Sequence, residues 1–180
     1  MSDTEEQLLD LAEDRIRLRG YHAVSFRELA DELGIKSSSV HYYFPQKQDL
    51  GLALVQRYSE KVFGALEVLA EKATTPGDYL NALVSVYRDA LTGSDRICLC
   101  GMLGAENSGL PAPVALAVTG FLNKNVEWLA ENLDPSLSSD VRRATAIRVV
   151  SNLQGAMVLA NSMRDHAIFD QAVEGLSVSS

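Results

Sequence analysis

Between Gly34 and Gln48 the chain carries Lys36, Ser37, Ser38, Ser39, His41, Tyr42, Tyr43 and Lys47, and no acidic residue. Hydroxyls, phenols, an imidazole and two ammonium groups set this close together are the donors that phosphate oxygens and base edges accept from. The same residues do not assemble a catalytic centre. His22, His41 and His166 are scattered and lack the spacing of metal ligands. Neither a phosphate-binding loop nor a nucleophile elbow occurs. Cys98-Leu99-Cys100 is not the C-x-x-C pair of a thiol enzyme. A small helical enzyme is thus only a rival reading, and neither a cofactor nor a metal is expected.

The elements that must position this cluster are legible on either side of it. Ser25 followed by Glu28 is a capping box that opens one helix, with Phe26, Leu29 and Ala30 behind it. Gly34 closes that helix, because glycine takes the left-handed cap without a Cβ penalty. Ile35 fits the angle, and a second short helix runs from Ser37 to Phe44. Helix, tight turn and helix in this order form a helix-turn-helix, whose second helix enters a major groove. Upstream, Thr4 and Gln7 repeat the capping pattern ahead of Leu8, Leu9, Ala12 and Ile16, a stripe that ends at Gly20. The three helices make a small head. Arg15, Arg17 and Arg19 complement the dipole at the end of the first helix, with a phosphate contact as the alternative role. Lys36 and His41 are candidates for contacts at or near base edges, and Tyr42, Tyr43 and Lys47 for grip on the backbone. Phe44 belongs to the core, and Tyr43 fits either role.

With 180 residues, 47% of them hydrophobic, the chain can bury a small head and a larger body. Its net charge of −8 argues against a general polyanion binder, since nonspecific affinity comes from Lys and Arg displacing counterions. Any DNA surface must be local, and the acid-free stretch is local. No run approaches the ~20 apolar residues that span a bilayer, so a soluble, cytoplasmic protein is expected.

Beyond Pro45 the periodicity is helical throughout. One helix is expected from Lys47 to about Lys72, striped by Leu50, Leu54, Tyr58, Val62, Leu66 and Leu69. Thr75, Pro76 and Asp78 launch the next, with Leu80, Leu83, Val84, Tyr87 and Leu91 on one face. Ile97 to Glu106 is apolar all round and is expected inside the body. Helices from about Ala112 to Leu133 and Ser139 to Asp165 are apolar over more than one face. A symmetry mate is expected to cover the second face as a four-helix bundle, making a homodimer. The tail after Gln171 is expected to fray. The class is all-α: residues 1–48 form a helix-turn-helix DNA-binding domain, and residues 49–180 form a ligand-binding and dimerisation domain.

Gly20-Tyr21, Phe26, Leu29, Ala30, Leu33-Gly34-Ile35, Val40, Tyr42-Tyr43-Phe44, Lys47 and Leu50 together resemble the TetR family of bacterial transcriptional regulators. The resemblance implies a dimer whose heads bind double-stranded operator DNA and whose body binds a small molecule that weakens that binding. It places Ser25, Arg27, Lys36, Ser37, Ser38, His41, Tyr42, Tyr43 and Lys47 at DNA-contact positions. His41 departs from the pattern, where many relatives have tyrosine, and so does the run Ser37-Ser38-Ser39. For the effector, Tyr87, Cys98, Met102, Phe121, Trp128, Gln154, Met157 and Asn161 mix apolar walls with polar groups, and plain core is the competing role. Glu106 ends an apolar segment and is a candidate anchor for a cationic or hydroxylated ligand. Cys98 and Cys100 raise an alternative, a thiol-based sensor of oxidants or electrophiles, although cysteine in an apolar helix is usually buried and inert. A helical adaptor that binds only protein is the third reading.

Overall fold

The computed structural model describes residues 3–177. Among them the chain is helical and has no strand: α1 (Asp3–Arg19), α2 (Phe26–Leu33), α3 (Ser37–Tyr43), α4 (Lys47–Ala70), α5 (Pro76–Thr92), α6 (Leu99–Ala105), a 3-10 turn (Asn107–Gly109), α7 (Ala112–Glu131), α8 (Ser139–Met163) and α9 (Ala167–Val173). The all-α class, with a helix-turn-helix head ahead of a helical body, is as expected. No described helix is long and apolar enough to cross a membrane.

Packing divides the helices into two compact units. The first runs through Ser59 and takes in Leu99–Gly120. Its core is the α1 stripe of Leu8, Leu9, Ala12 and Ile16, joined by Tyr21, Val24, Leu29, Ala30, Val40, Phe44, Leu50 and Leu54. The apolar segment expected inside the body instead forms α6 and packs on α1. A helix that is apolar all round carries no mark of which neighbour it will cover. Outside the core, Arg57 binds Asp10 at 2.7 Å and Glu13 at 2.9 Å, tying α4 to α1.

Local chemistry sets the helix ends. α1 is already helical at Asp3, so Thr4 lies in its first turn rather than capping it, and Asp3, Glu5 and Glu6 supply the charge that its N-terminal dipole favours. Ser25 caps α2 by accepting from the Glu28 N–H at 3.2 Å. The Glu28 carboxylate returns to the Ser25 hydroxyl at 2.9 Å, closing the box through the side chain.

The second unit holds Glu60–Cys98 and the chain from Phe121 onward. Leu66, Leu83, Leu91, Leu129, Leu153, Met157 and Phe169 form the most deeply buried part of its core. Leu69, the last member of the expected α4 stripe, is exposed. α9 was not foreseen: with only Phe169 buried along seven residues, it offers no readable period. Arg88 of α5 holds it, donating to Asp170 at 2.7 Å and lying 5.8 Å from the Phe169 ring. On α7, Val114, Val118, Phe121, Val126 and Leu129 are buried while Leu116 is exposed, and α8 keeps an outer row of Ile147, Val158, Leu159 and Met163 exposed.

At the start of α5 the Asp78 carboxylate accepts from the backbone of Thr74 at 3.0 Å and of Thr75 at 2.9 Å, and from the Thr75 hydroxyl at 2.9 Å. The Thr74 backbone bond first, and then the Thr75 bonds, hold this carboxyl below the usual carboxylate range. Its folded pKa is depressed, so the stabilisation is present above the unfolded carboxylate value and is lost as pH falls through the folded one. Thermal melts from pH 7 to pH 2 should therefore show a smaller acid-side loss for Asp78→Asn than for the wild type. Superimposable acid limbs would show that the cap carries no linkage.

Candidate nucleic-acid interface

The exit from α2 decides where α3 points. Gly34 sits at φ 66° and ψ 28°, in the left-handed region, and its N–H reaches back to Ala30 and Asp31. Ile35 N–H returns to the Ala30 carbonyl at 3.0 Å, completing the reversal. α3 then starts after Lys36, anchored inward by Val40 and by Phe44 just beyond its end. The period of the helix throws Lys36, Ser37, Ser38, His41 and Tyr42 outward, and all five are exposed, Tyr42 to 80%. Tyr43 is half-buried and meets the Tyr42 ring edge-on at 5.1 Å.

His41 is held in place. Its Nδ1 lies 3.3 Å from the Pro45 carbonyl and its ring meets Phe26 edge-on at 4.9 Å. A carbonyl accepts only from a protonated nitrogen, so the neutral ring bonded this way presents Nε2 as an acceptor. Ser25 spends its hydroxyl on the α2 cap. Arg27 is exposed, 3.9 Å from Asp31. Lys47 opens α4 half-buried, with Nζ 4.6 Å from the Tyr21 ring centroid and donating to the His22 carbonyl at 3.4 Å. Burial lowers its pKa, against the opposing pull of Glu106 and Glu28.

The acids nearest this face are already engaged. Glu28 is turned onto Ser25, Asp31 stands beside Arg27, and Glu32 takes Arg15 in two bonds of 2.6 and 2.7 Å. Arg15 is thereby spoken for on the protein side, and Glu32 raises its pKa. Arg19 is exposed at the end of α1. Pairing of this kind leaves the outward side of α3 with its cations and hydroxyls and without a free carboxylate in its own sequence.

The profile of "Bacterial regulatory proteins, tetR family" matches residues 8–54, a span that contains every residue of this face. Over residues 8–54 the chain matches that family's regulatory-protein profile. It is similar to the transcriptional repressor KstR2 of Mycolicibacterium smegmatis, 28% identical over 86 residues that cover 48% of this chain and 42% of the repressor. The chain spans roughly a third to a little over half of the length of the curated relatives it matches. Over almost the full length of both chains the fold is that of two solved structures. One, a TetR transcriptional regulator from Legionella pneumophila, is 24% identical at a TM-score of 0.90, covering 98% of this chain and 96% of that one. The other, a TetR-family regulator from Agrobacterium tumefaciens, is 25% identical at 0.87, covering 95% and 94%.

The residues expected around a family effector site fall in different surroundings. In the body unit, Tyr87, Cys98, Phe121 and Met157 are buried, and Trp128 meets Tyr79 edge-on at 5.9 Å. Gln154 donates to the Tyr87 hydroxyl at 3.1 Å, which donates to Asn125 Oδ1 at 3.4 Å, and Asn125 donates to the Phe121 carbonyl at 2.8 Å. Asn125 was missed from sequence, although its place midway between Phe121 and Leu129, at four-residue steps on an apolar helix, is the signal that marks it. Asn161 donates to the Asp95 carbonyl at 3.1 Å. Met102 and Glu106 lie in the head unit, where the Glu106 carboxylate accepts from the Tyr21 N–H at 2.7 Å.

Cys98 and Cys100 are in no disulfide and are buried, with 2% and 0% exposure. A reagent must wait for the fold to open before it meets either thiol. Intact-mass analysis after brief exposure of native protein to a mild electrophile should show no adduct, and two adducts should appear in denaturant. Rapid labelling of the native protein would restore the thiol-sensor alternative.

Proposed function

We propose that this chain is a ligand-responsive DNA-binding transcriptional regulator that acts in the cytoplasm as a homodimeric repressor released from its operator by a small molecule. The observation that carries the reading is α3: an exposed helix without an acid, set at a glycine-closed turn, with the carboxylates of α2 paired away from it. Residues 1–48 read the DNA. Lys36 and His41 face base edges, and Ser37, Ser38, Tyr42, Tyr43 and Lys47 grip phosphates, with Arg27 at the rim. Residues 49–180 hold the effector and the partner copy. The neutral Tyr87, Asn125 and Gln154 network is the polar part of an otherwise apolar interior, suited to orienting a small molecule among Phe121, Trp128 and Met157. That KstR2 carries the name of a repressor favours repression.

The partner copy lies along α8. Ile147, Ser151, Gly155, Val158, Leu159, Ser162 and Met163 recur at three- and four-residue steps and are all exposed, Leu159 to 53% and Met163 to 65%. A Cβ added at Gly155 meets nothing within 4 Å, so the row opens outward with a notch in its middle. Two such rows laid together bury apolar surface worth about 25 cal/mol per Å². Sedimentation should show a dimer at micromolar concentration for the wild type and a folded monomer for Leu159→Asp. A wild-type monomer would remove the dimer.

Gel shifts with the duplex upstream of its own gene, repeated with a metabolite panel, test partner and effector together. Binding titrations at several salt concentrations should give Lys47→Ala a slope lower by ~0.9 per lost phosphate contact, with affinity reduced across all sequences. An unchanged slope would take Lys47 out of the interface.

A further inference from the structure

We propose that Glu106 is a positioning residue for DNA contact: held against the turn from Gly20 to His22, its carboxylate fixes the ledge on which Lys47 rests. The inference rests on the DNA-binding reading of the head. Three observations converge on that turn, all within the head unit.

The carboxylate is built into the turn rather than laid on its surface. Glu106 Oε2 accepts the Tyr21 N–H at 2.7 Å across 85 residues of chain. Tyr21 is 3% exposed, so without Glu106 this amide would be left in the interior with no acceptor. Gly20 is at φ +85°, and a Cβ there would collide with the Glu106 carboxylate. Two separate constraints, the left-handed backbone and the acid's approach, therefore demand glycine at one position.

The residues after Glu106 close around the same turn. A Cβ on Gly109 would come within 3.2 Å of His22 Nε2. A Cβ on Gly51 would meet Tyr21 at 2.9 Å and Val114 at 3.0 Å, so α4, the turn and the start of α7 touch at one point. On the other side, Lys47 lies over the Tyr21 ring at 4.6 Å and donates to the His22 carbonyl at 3.4 Å. Both supports of its ammonium group belong to the three-residue turn that Glu106 holds. The negative charge also opposes the burial that lowers the Lys47 pKa.

The test is a double-mutant cycle on the full chain with the upstream duplex, using Glu106→Ala, Glu106→Gln, Lys47→Met and the double variant Glu106→Ala with Lys47→Met. Glu106→Ala should weaken binding roughly tenfold when Lys47 is present and less than about threefold in the Lys47→Met background. Glu106→Gln, whose amide oxygen still accepts from Tyr21, should restore affinity to within about threefold of wild type. The Tyr21 amide should exchange slowly with solvent in wild type and Glu106→Gln, and fast in Glu106→Ala. If Glu106→Ala does not fold, Glu106→Asp, one methylene short of the turn, replaces it in the same cycle. Equal losses in both Lys47 backgrounds, no loss at all, a glutamine as damaging as alanine, or an unchanged Tyr21 amide would each overturn the proposal while leaving wild-type DNA binding intact. Failure of the wild type to bind the duplex would overturn the DNA-binding reading and this inference with it.

Discussion

At Gly34 the backbone stands at φ 66°, and within one residue α2 has ended and its last carbonyls have been bonded by the turn itself. A residue with a Cβ there pays about 1–2 kcal/mol for the left-handed conformation. A straighter exit would carry α3 away from α2, and Val40 and Phe44 would no longer meet Leu29 and Ala30 in one core. The outward residues depend on that inward pair. α3 spans only seven residues, too few to be stable alone, so its direction is set by burial of the side that faces the head.

A chain of net charge −8 can present a DNA-facing helix because its charges are sorted by position. On α1 and α2, Glu13, Glu32 and Asp31 each have an arginine close by, and Glu28 turns onto its own cap. Exposed pairs of this kind contribute about 0–1 kcal/mol to stability. Their value here lies in field rather than in fold energy, since a paired carboxylate repels an approaching phosphate less than a free one. The stretch from Gly34 to Gln48 adds no acid of its own.

What was legible in the sequence had short-range causes. Ser25 with Glu28, Thr75 with Asp78, and Gly34 act within four residues, and each end lies where its cap requires. The α1 stripe and the inward face of α5 follow from the helical period alone. Other features depended on which elements meet. α6 carries apolar residues on every side, so nothing in Ile97–Glu106 announces that it will cover α1. Glu106 reads as a candidate ligand anchor until the Gly20–His22 turn is placed beside it, and the turn's own glycine reads as a simple helix stop. Arg15 shows the same limit: a cation at a helix end suits the dipole, a phosphate or Glu32 equally well, and only the packing of α1 on α2 selects Glu32.

The polar interior of the body bears on regulation through its size. Tyr87, Asn125 and Gln154 are neutral, and each bond among them contributes on the order of 1 kcal/mol net. Exchanging such bonds for bonds to an effector costs far less than separating a buried ion pair would. On the proposed reading, an incoming molecule would repay the exchange while meeting Phe121 or Met157, which share the same core. Release from DNA needs only a difference in effector affinity between two arrangements of the helices, and a few kcal/mol moves the balance by orders of magnitude. In the proposed regulator, a network of neutral bonds would allow such a difference without leaving a stranded charge.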